Sequence, residues 1–234
     1  MSITQNLAWL RERIDAAARR VGRRSEDVAL MAVSKTFPAQ QIRDAYDAGL
    51  RLFGENRVQE FAEKIEGLRD LHDIEWRLIG HLQTNKAAKA VELFAGVDSV
   101  DSLRLGQKLN ASALRLGKQI EVLIEINVGG ETAKSGVAAD SRELDELLSA
   151  APDLDHLKFL GLMTIPPFTE DPQKARPYFR RLRELRDQIA ARRSPALDLN
   201  VLSMGMSHDF EVAIEEGSTC VRVGTGIFGE RTKA

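Results

Sequence analysis

Apolar and polar positions follow two rhythms along the chain. Near the N-terminus Ile3, Leu7, Leu10, Ile14, Ala17 and Val21 recur at steps of four and three, which puts them on one face of a helix. Short apolar runs then take over, eight in all: VALMAVSK (28 to 35), LRLFGEN (50 to 56), IEWRLIGH (74 to 81), GVDSV (96 to 100), QIEVLIEIN (119 to 127), LKFLGLMTI (157 to 165), NVLSMGM (200 to 206) and TCVRVG (219 to 224). Their length and β-branched content read as strands.

Amphipathic stretches separate them. Helices are predicted over 38–48, with Ile42 and Ala45 inward; 58–68, with Phe61 and Ile65 inward; 85–94; 102–116, with Asp101 as N-cap; 140–150; 172–193, with Phe179, Leu182, Leu185 and Ile189 inward; and 209–216, closed by Gly217. Strands and helices that alternate through short joints predict parallel βαβ units. Eight of them predict an α/β fold, a single (β/α)8 TIM barrel spanning residues 1–234, its leading helix covering the bottom or flanking the last strand. An open doubly wound sheet is the competing arrangement if two strands are miscounted.

Composition narrows the classes. With 43% hydrophobic and 29% charged residues the chain can bury a sizeable core. The balance of 33 basic against 35 acidic residues provides no global field for nucleic acid or an anionic membrane, so any bound anion needs a local site. A single cysteine, Cys220, rules out an internal disulfide and a multi-thiolate metal centre. With neither a signal-peptide pattern nor a run of roughly 20 apolar residues, a cytoplasmic location is expected.

In a parallel barrel the chemistry sits at the C-terminal strand ends. There Lys35 closes the first strand and shares a pleat face with Val33, Met31 and Ala29, the barrel interior. Desolvation of such an amine lowers its pKa and frees a nucleophile toward carbonyls; a lysine snorkelling into solvent is the plain alternative. Two aldehyde chemistries suit it: the Schiff base of an aldolase, or the internal aldimine of pyridoxal 5′-phosphate.

The last strands weigh toward the second. Gly224 and Gly226 flank Thr225 just after strand eight, and Ser207 is predicted to open a helix after strand seven, the loops from which barrel phosphate sites are often built. Arg222 alternates with Cys220 and Gly224 and so points inward. A guanidinium facing a pyridine nitrogen keeps that nitrogen unprotonated; an ion pair with Glu55 or Glu125 is the alternative. His81 reads as an orienting group or a general base, and His72 and His156 as solvated.

The segments AVSKT (32 to 36), LFGENRVQE (52 to 60), WRLIGHLQTNK (76 to 86), KSG (134 to 136), GLM (161 to 163), LSMGMSHD (202 to 209) and VRVGTGIFG (221 to 229) resemble the pyridoxal phosphate homeostasis proteins, in order and over nearly the whole chain. These are similar to the barrel domain of alanine racemases and eukaryotic-type ornithine decarboxylases. The resemblance implies an aldimine on Lys35, a phosphate held by Ser207, Gly224 and Thr225, Arg222 on the pyridine nitrogen, and Asn56, His81, Ser203 and Met204 lining the ring.

It also implies a non-catalytic protein that holds the cofactor reversibly and buffers it or supplies it to apo enzymes that use it. A small amino-acid racemase or lyase using the same cofactor is the alternative. Racemising and decarboxylating relatives carry a second, β-rich domain over the cofactor, and the chain's end soon after strand eight leaves that cover expected to be missing. The loop GGETAKSG (129 to 136) is expected to be a mobile cover bringing Lys134 near the site, or an ordinary loop. A monomer is expected.

Overall fold

The computed structural model describes residues 2–131, 135–192 and 194–230. Its strands are β1 (Ala29–Val33), β2 (Leu52–Glu55), β3 (Glu75–Leu78), β4 (Gly96–Val100), β5 (Ile120–Asn127), β6 (Val137–Ala138), β7 (Leu157–Met163), β8 (Leu197–Met206) and β9 (Cys220–Val223). Eight of them run in the order β4-β3-β2-β1-β9-β8-β7-β5, and pairing of β4 with β5 closes the ring. All pairings are parallel, as expected of a barrel, and closure removes the doubly wound alternative. The two-residue β6, which periodicity does not reveal, only extends the end of β5.

Around the barrel lie α1 (Ile3–Arg20), α2 (Ala39–Asp47), α3 (Val58–Lys64), α4 (Ala87–Leu93), α5 (Leu103–Arg115), α6 (Arg142–Ala150), α7 (Arg176–Ala191), α8 (Phe210–Glu215) and α9 (Thr225–Phe228). None of the described helices is long and apolar enough to cross a membrane. A capping box starts α1, with Ser2 and Gln5 satisfying each other's backbone N–H at 3.2 and 2.9 Å. Its buried face, Leu7, Leu10 and Ile14, packs beside the last unit rather than under the barrel. The Asn6 side-chain amide donates to the Ile227 carbonyl in α9 at 2.8 Å.

Most helix limits move by a few residues from the sequence reading, and three of the changes bear on named residues. α1 stops at Arg20, so Val21 is exposed. Ser102, not Asp101, caps α5 by accepting from the Leu105 N–H at 3.3 Å. α8 begins at Phe210, which leaves Ser207 in a turn instead of opening a helix.

Pleat parity sorts the strands' side chains. Outward residues such as Ala32, Phe53, Trp76, Leu78 and Val122 join the helices in the main core. There Phe61 of α3 bridges Trp76 and Phe94, with ring centroids 4.7 and 4.6 Å apart. Inward residues form a separate small cluster, Met31, Val33, Ile79 and Cys220. Toward the strand starts, Arg77 plugs the interior. Its Nε meets Asp98 at 2.7 Å, and one terminal nitrogen meets Glu75 and Glu121 at 2.9 and 2.8 Å. Gly96 makes room: a Cβ there would lie 2.5 Å from the Arg77 guanidinium carbon.

The plug is a buried pair, so removing one partner leaves an uncompensated charge. Arg77→Met is expected to cost about 3–5 kcal/mol at neutral pH in urea unfolding, and Arg77→Met/Asp98→Leu to recover most of it. An unchanged unfolding midpoint in the single variant would refute a plug that carries stability.

Candidate functional site

A cavity of about 440 Å³ opens at the C-terminal strand ends, and Lys35, Asn56, His81, Ser207, Arg222, Gly224 and Thr225 all line it. Arg222 comes from β9 itself and the other six from the segments that follow β1, β2, β3, β8 and β9. Val33 beneath Lys35 is an inward residue of β1, and Arg222 lies in register with Met31 on neighbouring β9. Two other predicted residues fall elsewhere. Ser203 is fully buried one layer below, bonded to Arg222. Met204, its neighbour in β8, points outward into the helix-facing core, so Met206 supplies the wall that Met204 was expected to form.

Arg222 is 3% exposed. One terminal nitrogen donates to the Ser203 carbonyl and hydroxyl, each at 2.7 Å, and the other to the Thr164 carbonyl at 2.7 Å. Among the described residues it has no carboxylate partner. Glu55 faces outward to Lys64 at 2.8 Å, which removes one of the two ion pairs considered, and Glu125 stays beyond pairing distance. Burial pushes the guanidinium below its ordinary value, with Cys220, Asp98, Glu125 and Asp209 opposing. Three of five N–H donors are engaged by these bonds, which fixes the plane of the group at the cavity wall.

Two turns meet beside it. After β8, the Asp209 carboxylate accepts from the Met206 N–H at 2.6 Å and the Asp209 N–H returns to the Met206 carbonyl at 3.1 Å, a closed loop that presents Ser207. After β9, Gly224 precedes the single turn of α9, whose first N–H groups have no partner within the helix. The Thr225 and Ser207 hydroxyls lie 3.3 Å apart, so both loops converge on one point. A Cβ at Gly224 would sit 3.3 Å from the Val33 carbonyl, in the gap between β9 and β1.

The opposite wall is acidic. Asp101, freed from capping, holds His81 Nδ1 at 3.0 Å and accepts from Ser102 at 3.2 Å, which leaves Nε2 as the outer nitrogen of an exposed ring. His156 is not simply solvated, since its Nδ1 meets the Lys118 carbonyl at 2.9 Å. Glu125, at the end of β5, was visible as a strand-end residue but not as a site residue. It is 5% exposed and its Oε2 has no hydrogen-bond partner. Desolvation first, then the Asp101 charge, pushes it up to about 7 against the pull of Arg222 and His81. Cys220, below Arg222, is likewise pushed up, to about 11, by burial, so it stays a thiol and leaves the amine as the nucleophile.

Sequence reading also missed Ile79, Gly80, Ser135 and Ile165 in the lining. Ile79 follows the inward parity of Arg77 in β3, whereas Gly80 breaks it, and a Cβ at Gly80 would collide with the Asn56 carbonyl, a constraint no sequence pattern announces. Lys134 lies outside the described residues.

Comparison with known proteins bears on the family and the fold. Residues 5–232 match the family profile described as the alanine racemase N-terminal domain. The pyridoxal phosphate homeostasis protein of Aquifex aeolicus is 48% identical over 231 residues, 99% of each chain. That of Escherichia coli K12 is 43% identical over 232 residues, 98% of this chain and 97% of its own. The solved structure of PipY from Synechococcus elongatus PCC7942 with PLP bound superposes at a TM-score of 0.81, 37% identical, over 97% of this chain and 100% of that one. An alanine racemase of Clostridium difficile 630 shares the fold at a TM-score of 0.71 and 16% identity, over 98% of this chain and 58% of that one.

Glu125 gives the site a pH signature. A carboxyl raised from 4.5 to about 7 in the folded state imposes no penalty below about pH 4.5; the penalty grows as the unfolded form ionises and is complete above about pH 7. Glu125→Gln is therefore expected to stabilise the protein by up to about 3 kcal/mol at about pH 8 and by almost nothing at about pH 4.5, read from urea unfolding. Equal effects at both pH values would mean the carboxyl is not held neutral by burial.

A profile match over residues 5–232, identity above 40% with relatives covered almost end to end, and a lysine, arginine and paired hydroxyls gathered at the mouth of a closed barrel agree: the chain belongs to the pyridoxal phosphate homeostasis proteins of the alanine racemase N-terminal domain family.

Proposed function

We propose that this protein binds pyridoxal 5′-phosphate through a reversible covalent link to Lys35 and buffers or supplies it without catalysing a reaction on amino acids. The observation that carries the reading is the convergence of the Lys35 amine, the fixed Arg222 guanidinium and the Ser207–Thr225 hydroxyl pair on one cavity.

The residues fit the group. A phosphate needs several donors at one point, and the turns after β8 and β9 provide two hydroxyls and backbone N–H groups there. A pyridine nitrogen needs a donor in a set plane, which the anchored Arg222 supplies, keeping the ring nitrogen unprotonated and the ring a weak electron sink. When bound, the cofactor supplies an aldehyde that condenses reversibly with a primary amine. Asn56, after β2, and Met206, at the end of β8, also line the cavity. Lys35 is half-buried and Thr225 exposed, so water reaches this end of the cavity and release needs no large rearrangement. The relatives matched along nearly their whole length are named for homeostasis of this cofactor, and PipY is described with it bound.

Mixing the purified protein with pyridoxal 5′-phosphate is expected to give the visible absorption of the lysine-bound cofactor, absent in Lys35→Ala. Ser207→Ala/Thr225→Ala should retain the link but weaken retention about 10- to 100-fold, the loss of two hydrogen bonds to a charged group. A colourless wild-type protein would return the lysine to the aldolase reading. In deuterated water no amino-acid α-hydrogen exchange above that of free cofactor is expected. Exchange at enzyme-like rates, lost in Lys35→Ala, would show a racemase or lyase instead.

A further inference from the structure

Lys35 does not sit on a strand. β1 ends at Val33, and Ser34 to Phe37 form a turn closed by the Phe37 N–H on the Ser34 carbonyl at 3.1 Å. Lys35 and Thr36 are its two central residues. Thr36 has φ +66°, the one non-glycine residue at positive φ among those described. Turns with positive φ at the third position call for glycine or asparagine, and a β-branched threonine resists it. Something outside the turn must therefore enforce the shape.

Helix α3 provides it. Glu60 Oε1 accepts from the Thr36 N–H at 2.6 Å. One turn further on, Lys64 Nζ donates to the Ser34 carbonyl at 3.0 Å and to Glu55 Oε1 at 2.8 Å. The same Glu55 oxygen accepts from the Ser34 hydroxyl at 2.7 Å, and Glu55 is fully buried. The peptide groups on both sides of Lys35 are thus fixed to one helix face, by Glu60 and Lys64 spaced i, i+4 and 3.7 Å apart.

We infer that Glu60, supported by Lys64, is a positioning residue that holds the Lys35 turn in its left-handed shape and so aims the amine into the cavity. Neither side chain lines that cavity, so they act through the backbone of residues 34–36. The inference rests on the proposed role of Lys35 as the attachment point.

The test measures the rate at which pyridoxal 5′-phosphate becomes attached, with borohydride trapping and mass spectrometry to locate the modified residue. Inorganic phosphate binding and the thermal midpoint are recorded in parallel. Glu60→Ala is expected to slow attachment at Lys35 on the order of tenfold or more, as misplacement of a reacting group does, with phosphate affinity within about twofold. Glu60→Gln, whose amide oxygen still accepts from Thr36, should recover most of the rate.

The decisive variant is Glu60→Ala/Thr36→Gly. Glycine adopts the left-handed turn unaided, so the rate should return to within about threefold of wild type. A general loss of folding would not be repaired by adding a glycine. An unchanged rate in Glu60→Ala, or a double variant as slow as the single one, overturns the inference. Trapping at a residue other than Lys35 in the wild-type protein overturns the reading of Lys35 as well.

Discussion

The buried Arg222 guanidinium determines what the mouth of the barrel can be. A cation at 3% exposure needs partners, and here they are the carbonyls of Thr164 and Ser203 and the Ser203 hydroxyl, not a carboxylate. Carbonyl oxygens satisfy its hydrogens without cancelling its charge. The positive charge therefore remains directed up the axis, where an anionic or lone-pair-bearing ligand meets it. The same bonds tie β9 to Ser203 in β8 and to Thr164 just after β7, beneath the turns that carry Ser207 and Thr225.

The charges around it divide by level. At the strand starts, Arg77 is matched by Asp98, Glu75 and Glu121, and the cluster seals the interior. At the strand ends, Glu125 is left without a partner for Oε2 although Arg222 lies close enough to pull on its ionisation. Each level keeps one buried carboxylate oxygen without a hydrogen-bond partner, Asp98 Oδ2 below and Glu125 Oε2 above; what differs is that Asp98 is paired to Arg77 through its other oxygen. With its pKa pushed up to about 7, Glu125 is only partly ionised at neutral pH, which limits how far it offsets the Arg222 charge.

The barrel was legible because it depends on period and order: eight apolar runs of strand length in alternation with amphipathic helices leave few ways to pack. The inward set Met31, Val33 and Arg222 follows from counting by two. What escaped depends on parity being broken or on contacts between distant segments. Met204 belongs to the motif SMGM but faces the helices, as parity from inward Ser203 requires; the same parity would turn Met206 outward too, but the register shifts across Gly205, whose φ is +93°, and Met206 comes to the cavity instead. Asp101 looks like a cap by position, yet Ser102 fills that role and the aspartate turns to a histidine twenty residues away in sequence. Glu60 sits in an ordinary amphipathic helix, and only its distance to the Thr36 N–H gives it meaning.

Exposure changes steadily along the axis, and the reversible link proposed at Lys35 would depend on that gradient. Arg222 and Ser203 are dry, Glu125 nearly so, Lys35 half-buried, and His81 and Thr225 open to solvent. A dry floor gives direction and strength to the contacts that orient a ring, since electrostatic interactions are stronger where water is excluded. A wet rim does the opposite for the covalent end, because hydrolysis and exchange require a water or an amine to reach Lys35. A site dry throughout would hold its cofactor as an enzyme does, and one wet throughout would not orient it. The division between a rigid, desolvated Arg222 and a half-exposed lysine held through its neighbours' peptide groups suits a carrier, which must bind in one geometry and still let go.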